Sequence, residues 1–198
     1  MGFSALVSLY YGENDLIGIL KSIALSVSSG LIIIAVTKKS DKDISVRDGF
    51  AIVTVGWIIM AAYSALPFWL SGEIPTYTDS FFEAMSGLTT TGATVLGHAD
   101  INEIEKLPHG ILFWRSFTQF IGGMGIIVFS IAMLPLLGMG GVQLFKAEVA
   151  GPTADKLTPR VKQTAKYLWS IYVGFVAICT LLLWIEGMTF FDAICHSF

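Results

Sequence analysis

Charge is what this chain lacks most. Only 14% of its 198 residues are Asp, Glu, Lys or Arg, while 54% are apolar and mean hydropathy is +0.71. That composition excludes an ordinary water-soluble globule. The net charge of −3 and the absence of any basic run exclude nucleic acid as a partner, because phosphate neutralisation needs clustered Lys and Arg. The two cysteines, Cys179 and Cys195, show no metal or disulfide spacing and read as small hydrophobes in apolar surroundings. His98, His109 and His196 are scattered, with no second ligand at helical spacing, so no metal cofactor is expected. Gly138-Met139-Gly140-Gly141-Val142-Gln143 lacks the third glycine of a dinucleotide fingerprint, and Lys146 has no Walker arrangement around it. No Ser/His/Asp or Cys/His grouping suggests catalysis, so the sequence is not that of an enzyme.

What is present is a set of long apolar runs. Residues 16–36 carry a single charge, Lys21, and residues 50–70, 116–145 and 167–185 carry none. Each is long enough to cross a bilayer, which takes about 20 residues. The first ten residues are apolar but too short to span, and they lack the basic start and cleavage site of a secretory signal; they read as the end of a longer helix. Lys38, Lys39, Lys42 and Arg47 separate the first two runs, and Lys146, Lys156, Arg160, Lys162 and Lys166 separate the last two. If the spans alternate, these two loops share a side. The positive-inside rule then places loops 38–48 and 146–166 in the cytoplasm and residues 71–79 and the acidic stretch 98–106 outside.

The third run is too long for one simple span. As a straight helix residues 116–145 would extend about 45 Å, against a hydrocarbon core of about 30 Å. Two glycine clusters offer a resolution: Gly122-Gly123-Met124-Gly125 is expected to serve close packing, and Pro135 with Gly138, Gly140 and Gly141 to end the helix.

Between the second and third runs, residues 80–88 are apolar and helix-like but reach only about 13 Å, which cannot span. Ser80-Phe81-Phe82-Glu83 has the form of a capping box. Residues 87–95 follow, a glycine-bearing, threonine-rich stretch that favours extended backbone. Non-helical backbone at membrane depth is tolerated only where protein buries it or it lines a watery cavity. A half-helix followed by such a stretch is therefore expected to be a re-entrant pore loop, with successive Thr carbonyls and Gly92 facing a dehydrated monovalent cation. The alternative is a polar surface loop after an amphipathic helix. Thr189-Phe190-Phe191-Asp192-Ala193 matches Ser80-Phe81-Phe82-Glu83-Ala84 position for position, again after an uncharged span, which argues for an internal repeat.

These residues carry a specific resemblance. Residues 81–94, Gly122-Gly123-Met124-Gly125-Ile126, Leu134-Pro135 and Gln143-Leu144-Phe145-Lys146-Ala147-Glu148 resemble the first repeat of the TrkH/TrkG/KtrB family of bacterial potassium-uptake subunits. Residues 191–198 resemble the start of that family's second pore loop. The resemblance implies an all-α membrane protein of the potassium-channel-like superfamily, built from helix, re-entrant pore loop and helix repeats around one axis. It also implies a multi-pass place in the bacterial inner membrane with a periplasmic filter mouth, potassium as transported ligand, a homodimer, and a gating partner in a cytosolic nucleotide-binding ring of the TrkA/KtrA type. The filter wall it implies is Thr90, Thr91, Gly92 and Ala93, presenting backbone carbonyls. On this pattern residues 1–48 hold the remnant of a first helix, one span and a cytoplasmic loop. Residues 49–150 are the first complete repeat, and 151–198 open a second repeat that stops before its filter, so the chain is expected to be the N-terminal portion of a longer subunit.

Glu83 lies on the half-helix and Arg115 at the start of the third run. They are candidates to pair behind the filter and hold it open. Plainer explanations also fit: Glu83 as a capping-box member, and Arg115 as a side chain reaching the nearby interface. His98, Asp100, Glu103 and Glu105 can concentrate cations at the mouth or form an ordinary solvated loop. Beside the transport reading stands a non-conducting membrane scaffold with the same fold.

Overall fold

The computed structural model describes residues 1–38, 46–97, 101–133 and 157–198. The described residues form eight α-helices and one 3-10 turn, with no strand. Among the described residues, three helical stretches are long and apolar enough to cross a membrane: Leu16–Thr37, Asp48–Ser71 and Gln163–Ile185. Their apolar side chains point outward, with Ile34 66% and Phe175 68% exposed, a surface that only lipid or further protein would cover at acceptable cost. The molecule is thus an all-helical membrane protein. It divides into two compact units, Met1–Phe120 and Ile121–Phe198.

In the first unit, α1 (Gly2–Tyr11) and α2 (Leu16–Thr37) form a hairpin. It turns at Gly12, whose φ of 69° is left-handed and whose N–H donates to the Ser8 carbonyl. The start of α2 lies against the end of α4 (Leu66–Ser71), and Gly18 permits it: a Cβ there would collide with the Ser71 backbone. Helix α3 (Val46–Ser64) breaks before α4 because Pro67 has no N–H to continue the ladder. Ser64 is the last residue of α3, and its carbonyl accepts from the Trp114 indole at 2.9 Å. Helix α5 (Tyr77–Leu88) follows, then an irregular segment, the 3-10 turn Ile104–Lys106, and α6 (His109–Met133). Ile19, Phe68, Ile74, Ala84, Ile111 and Trp114 close the core among these helices.

The second unit holds the end of α6, α7 (Leu157–Ile185) and α8 (Phe190–Ser197). Helix α6 stays continuous through Gly122, Gly123 and Gly125, and a Cβ on Gly123 would meet the Tyr172 hydroxyl of α7, which makes that glycine a close-packing position. Pro135, Gly138, Gly140, Gly141 and residues 143–148 lie outside the described residues, as do residues 39–45 of the first basic loop and 98–100 of the outer one.

The two short helices are built alike, in a register that corrects the sequence alignment. Thr76 caps α5, accepting from the Asp79 N–H at 3.1 Å while its hydroxyl donates to Asp79 Oδ2 at 2.6 Å. Thr189 caps α8 with Asp192 at the same two distances. Each cap follows a span ended by a left-handed glycine, Gly72 or Gly187, whose N–H donates to the carbonyl of Trp69 or Trp184 at 3.1 Å. Trp69 meets Tyr77 edge-on, as Trp184 meets Phe190. Asp192 therefore corresponds to Asp79, not to Glu83. Ser80 is no cap: it already lies inside α5, where its hydroxyl donates to the Thr76 carbonyl. The Thr-x-x-Asp arrangement won because it satisfies the free N–H groups of a helix that starts four residues earlier and leaves Glu83 for another task.

Candidate functional site

Helix α5 has 12 residues, about 18 Å, and cannot cross a hydrocarbon core of about 30 Å. Past Leu88 the chain does not run straight. The N–H groups of Thr89, Thr90 and Thr91 fold back onto the carbonyls of Met85, Gly87 and Ser86 at 2.9–3.0 Å, closing the last turn of the helix. To do so Thr90 takes a φ of 55°, left-handed and strained for a β-branched residue, and Gly92 takes 74°. The expectation of a uniformly extended stretch from residue 87 is corrected accordingly: helix persists to Leu88, and two left-handed residues flank Thr91. Their placement breaks the regular alternation of carbonyl directions that an extended strand would have.

The outcome is an exposed run over residues 89–93. Among the described residues, no hydrogen-bond donor reaches the carbonyls of Thr90, Thr91 or Gly92. The Ala93 carbonyl is different, because the Ser86 hydroxyl on α5 donates to it at 2.6 Å. Thr89 and Thr91 join their hydroxyls at 2.8 Å. Among the described residues, no heavy atom beyond its chain neighbours lies within 4 Å of where a Gly92 Cβ would stand, so backbone conformation, not crowding, requires the glycine.

Behind this loop sits Glu83, 2% exposed. Its Oε1 accepts from Arg115 Nε at 2.7 Å. The Thr94 hydroxyl lies 3.0 and 2.9 Å from the two carboxylate oxygens, and the Val95 N–H donates to Oε2 at 3.1 Å. Thr94 in turn accepts from the Leu96 N–H at 3.1 Å. One carboxylate thus ties α5 to α6 and both to the segment returning from the loop. The pair between Glu83 and Arg115 is a fact of the geometry, whereas Glu83 takes no part in capping. A buried carboxylate with charged and backbone donors is affordable where one without them would not be.

The helices can hold this arrangement because they approach closely. A Cβ on Gly87 would collide with the Thr118 side chain of α6, whose own hydroxyl donates to the Arg115 carbonyl at 2.6 Å. Thr94, Ser86 and Thr118 were not among the candidates from sequence. Nothing in their spacing distinguishes a hydroxyl that anchors a loop from one that bonds its own helix. His98 and Asp100 fall outside the described residues, and Glu103 pairs with Lys106 at 3.1 Å on the surface.

Known proteins resemble the chain over nearly its whole length. A family model described as TrkH, cation transport protein, matches residues 17–198. The chain is 45% identical to the Trk system potassium uptake protein TrkH of Escherichia coli K12 over 196 residues, which is 98% of this chain and 39% of that protein. It is 41% identical to the Trk system potassium uptake protein TrkG of the same organism over 193 residues, covering 96% of this chain and 39% of that one. Among solved structures, the potassium transporter TrkH from Vibrio parahaemolyticus superposes with a TM-score of 0.80 at 37% identity, covering 98% of this chain and 37% of that one. The chain therefore spans about two fifths of the length of the relatives it matches, and over that span it belongs to the TrkH family of cation transport proteins.

Proposed function

We propose that the chain takes part in potassium uptake across the bacterial inner membrane, and that residues 90–93 are one wall of its ion filter. The observation that carries this reading is that the carbonyls of Thr90, Thr91 and Gly92, at the end of a helix too short to span, accept no hydrogen bond among the described residues. Carbonyl oxygens replace the hydration shell of a monovalent cation, and the negative end of the α5 dipole adds to the attraction. Ala93 completes the wall as the point where Ser86 ties the loop back to its helix. Glu83 and Arg115 support the loop from behind without touching the ion.

One wall does not enclose an ion. Residues 49–150 form one helix, loop and helix repeat, residues 151–198 begin the next, and further repeats supply the other walls. Loops 38–48 and 146–166 face the cytoplasm and the filter mouth faces the periplasm. The same family pattern supports a homodimer and a cytosolic nucleotide-binding ring of the TrkA/KtrA type as partner; lipid surrounds the apolar helices.

The test is complementation of a bacterium lacking potassium uptake, on low-potassium medium, by the protein as its gene encodes it and by a Gly92→Ser form. A β-carbon at φ 74° costs about 1–2 kcal/mol of backbone strain and displaces the neighbouring carbonyls. Growth should need more potassium, and preference over sodium should fall. Unchanged preference in the serine form would sink the filter assignment.

A further inference from the structure

The first helices of the chain do more than add a span. Four contacts run from the α1–α2 hairpin to the first two residues of α6. The Glu13 carboxylate accepts from the His109 N–H at 2.6 Å and sits 2.8 Å from the same residue's Nδ1. The Tyr11 ring stacks on the His109 imidazole, with centroids 3.8 Å apart and planes 8° from parallel. The Ser4 hydroxyl donates to the Gly110 carbonyl at 2.6 Å. Asp15, 2% exposed, accepts from Ser8 at 2.5 Å with Oδ1, while its other oxygen finds no hydrogen-bond partner among the described residues and lies where a Gly110 Cβ would project.

The chemistry explains the convergence. A helix begins with free N–H groups and a partial positive charge. Glu13 satisfies one of those N–H groups from another part of the chain, and the buried Asp15 brings a second carboxylate against the same turn. Gly110 is required there because any side chain would expel Asp15.

Arg115 lies on the same rigid helix about 9 Å beyond His109, and Thr118 about 4 Å further. Arg115 holds Glu83, Glu83 holds Thr94 and Val95, and Thr118 sets the approach of α5 at Gly87. A helix transmits an axial shift or rotation of its first turn to these residues almost undiminished, because its hydrogen bonds and packing resist local give. We infer that Glu13 and Asp15 are positioning residues for the filter: they clamp the start of α6 and so fix where Arg115 and Thr118 hold the loop. The inference rests on the filter reading above and adds to it a control point outside the repeat.

The test measures potassium and sodium uptake by the protein as its gene encodes it, in potassium-depleted cells and at matched expression. The variants are Glu13→Ala, Glu13→Gln, Asp15→Asn and Gly92→Ser. Asn14→Ala, at an exposed position in the same turn, is the control. Glu13→Ala and Asp15→Asn should lower potassium-over-sodium preference by about fivefold, the lower end of site-to-site coupling, and raise KM for potassium more than they lower maximal rate. Glu13→Gln keeps an acceptor for the His109 N–H and should recover part of the preference; it serves also if the alanine form fails to accumulate. Asn14→Ala should match the parent. A lower maximal rate with unchanged preference and KM in the Glu13 and Asp15 forms, while Gly92→Ser alters preference, refutes the clamp and leaves the filter standing. If Gly92→Ser changes nothing either, the filter reading falls and the clamp falls with it.

Discussion

Replacing Glu83 with glutamine keeps the side chain's shape and removes its charge, which isolates what the ion pair contributes. In the parent, Arg115 Nε lies 2.7 Å from Glu83 Oε1, with side-chain exposures of 15% and 1%. Taking the charge centres as about 4 Å apart and an effective dielectric of about 20, the attraction is about 4 kcal/mol. Glutamine also creates a conflict. If its carbonyl faces Arg115, its amide NH₂ faces the Val95 N–H, which now donates to Oε2 at 3.1 Å, so two donors confront each other. Breaking a buried pair from one side costs about 3–5 kcal/mol, because the remaining charge is left without compensation. The reverse change, Arg115→Met, should cost a similar amount, but the double variant should lose about 2–3 kcal/mol less than the two losses taken together. Denaturant unfolding in detergent micelles, followed by tryptophan fluorescence, measures all three against the parent. Losses that simply add, to within about 0.5 kcal/mol, would mean that the two side chains do not interact and that Glu83 is not the tie between α5, α6 and the loop.

Two further outcomes follow from the packing and backbone of the same region. Gly87→Ala drives a methyl group into Thr118 and should destabilise by about 1–3 kcal/mol, with much of the loss recovered in a Gly87→Ala, Thr118→Ala double variant; absence of recovery in thermal melts would place the collision elsewhere. Thr90→Gly relieves a left-handed conformation worth about 1–2 kcal/mol at the cost of greater freedom in the unfolded chain. It should leave stability unchanged or raise it slightly while impairing uptake on low potassium; a marked loss of stability would show that Thr90 is not strained.

The membrane architecture was legible in the sequence because it depends on additive local quantities. Apolar run length decides what can span, and the three span-length helices fall where residues 16–36, 50–70 and 167–185 are apolar. The short helix was legible for the same reason, since residues 80–88 are too few to cross. Its starting point was not. Ser80-x-x-Glu83 and Thr76-x-x-Asp79 both satisfy the capping pattern, and the choice turned on Glu83 finding Arg115, Thr94 and Val95 across the fold. A carboxylate that can cap a helix on its own is worth more when a guanidinium and a backbone N–H are brought to it, and no local pattern announces that they will be.

Long-range contacts decided the rest. Ser86 reaches Ala93, Gly87 admits Thr118, and Glu13 meets His109 from the far end of the first unit. By sequence His109 is one of three scattered histidines and Glu13 an acid in a turn; only the packing of α1, α2 and α6 makes them partners. The sequence by itself determined which segments are long and apolar enough to span a membrane and that a helix of half length precedes a threonine and glycine loop, because hydrophobicity, length and backbone propensity act within a few turns of chain. Only the tertiary structure decided which loop carbonyls accept no bond among the described residues and which charges tie the loop's return to α5 and α6, because hydrogen bonds and ion pairs between buried groups are chosen by what the fold brings within about 3 Å.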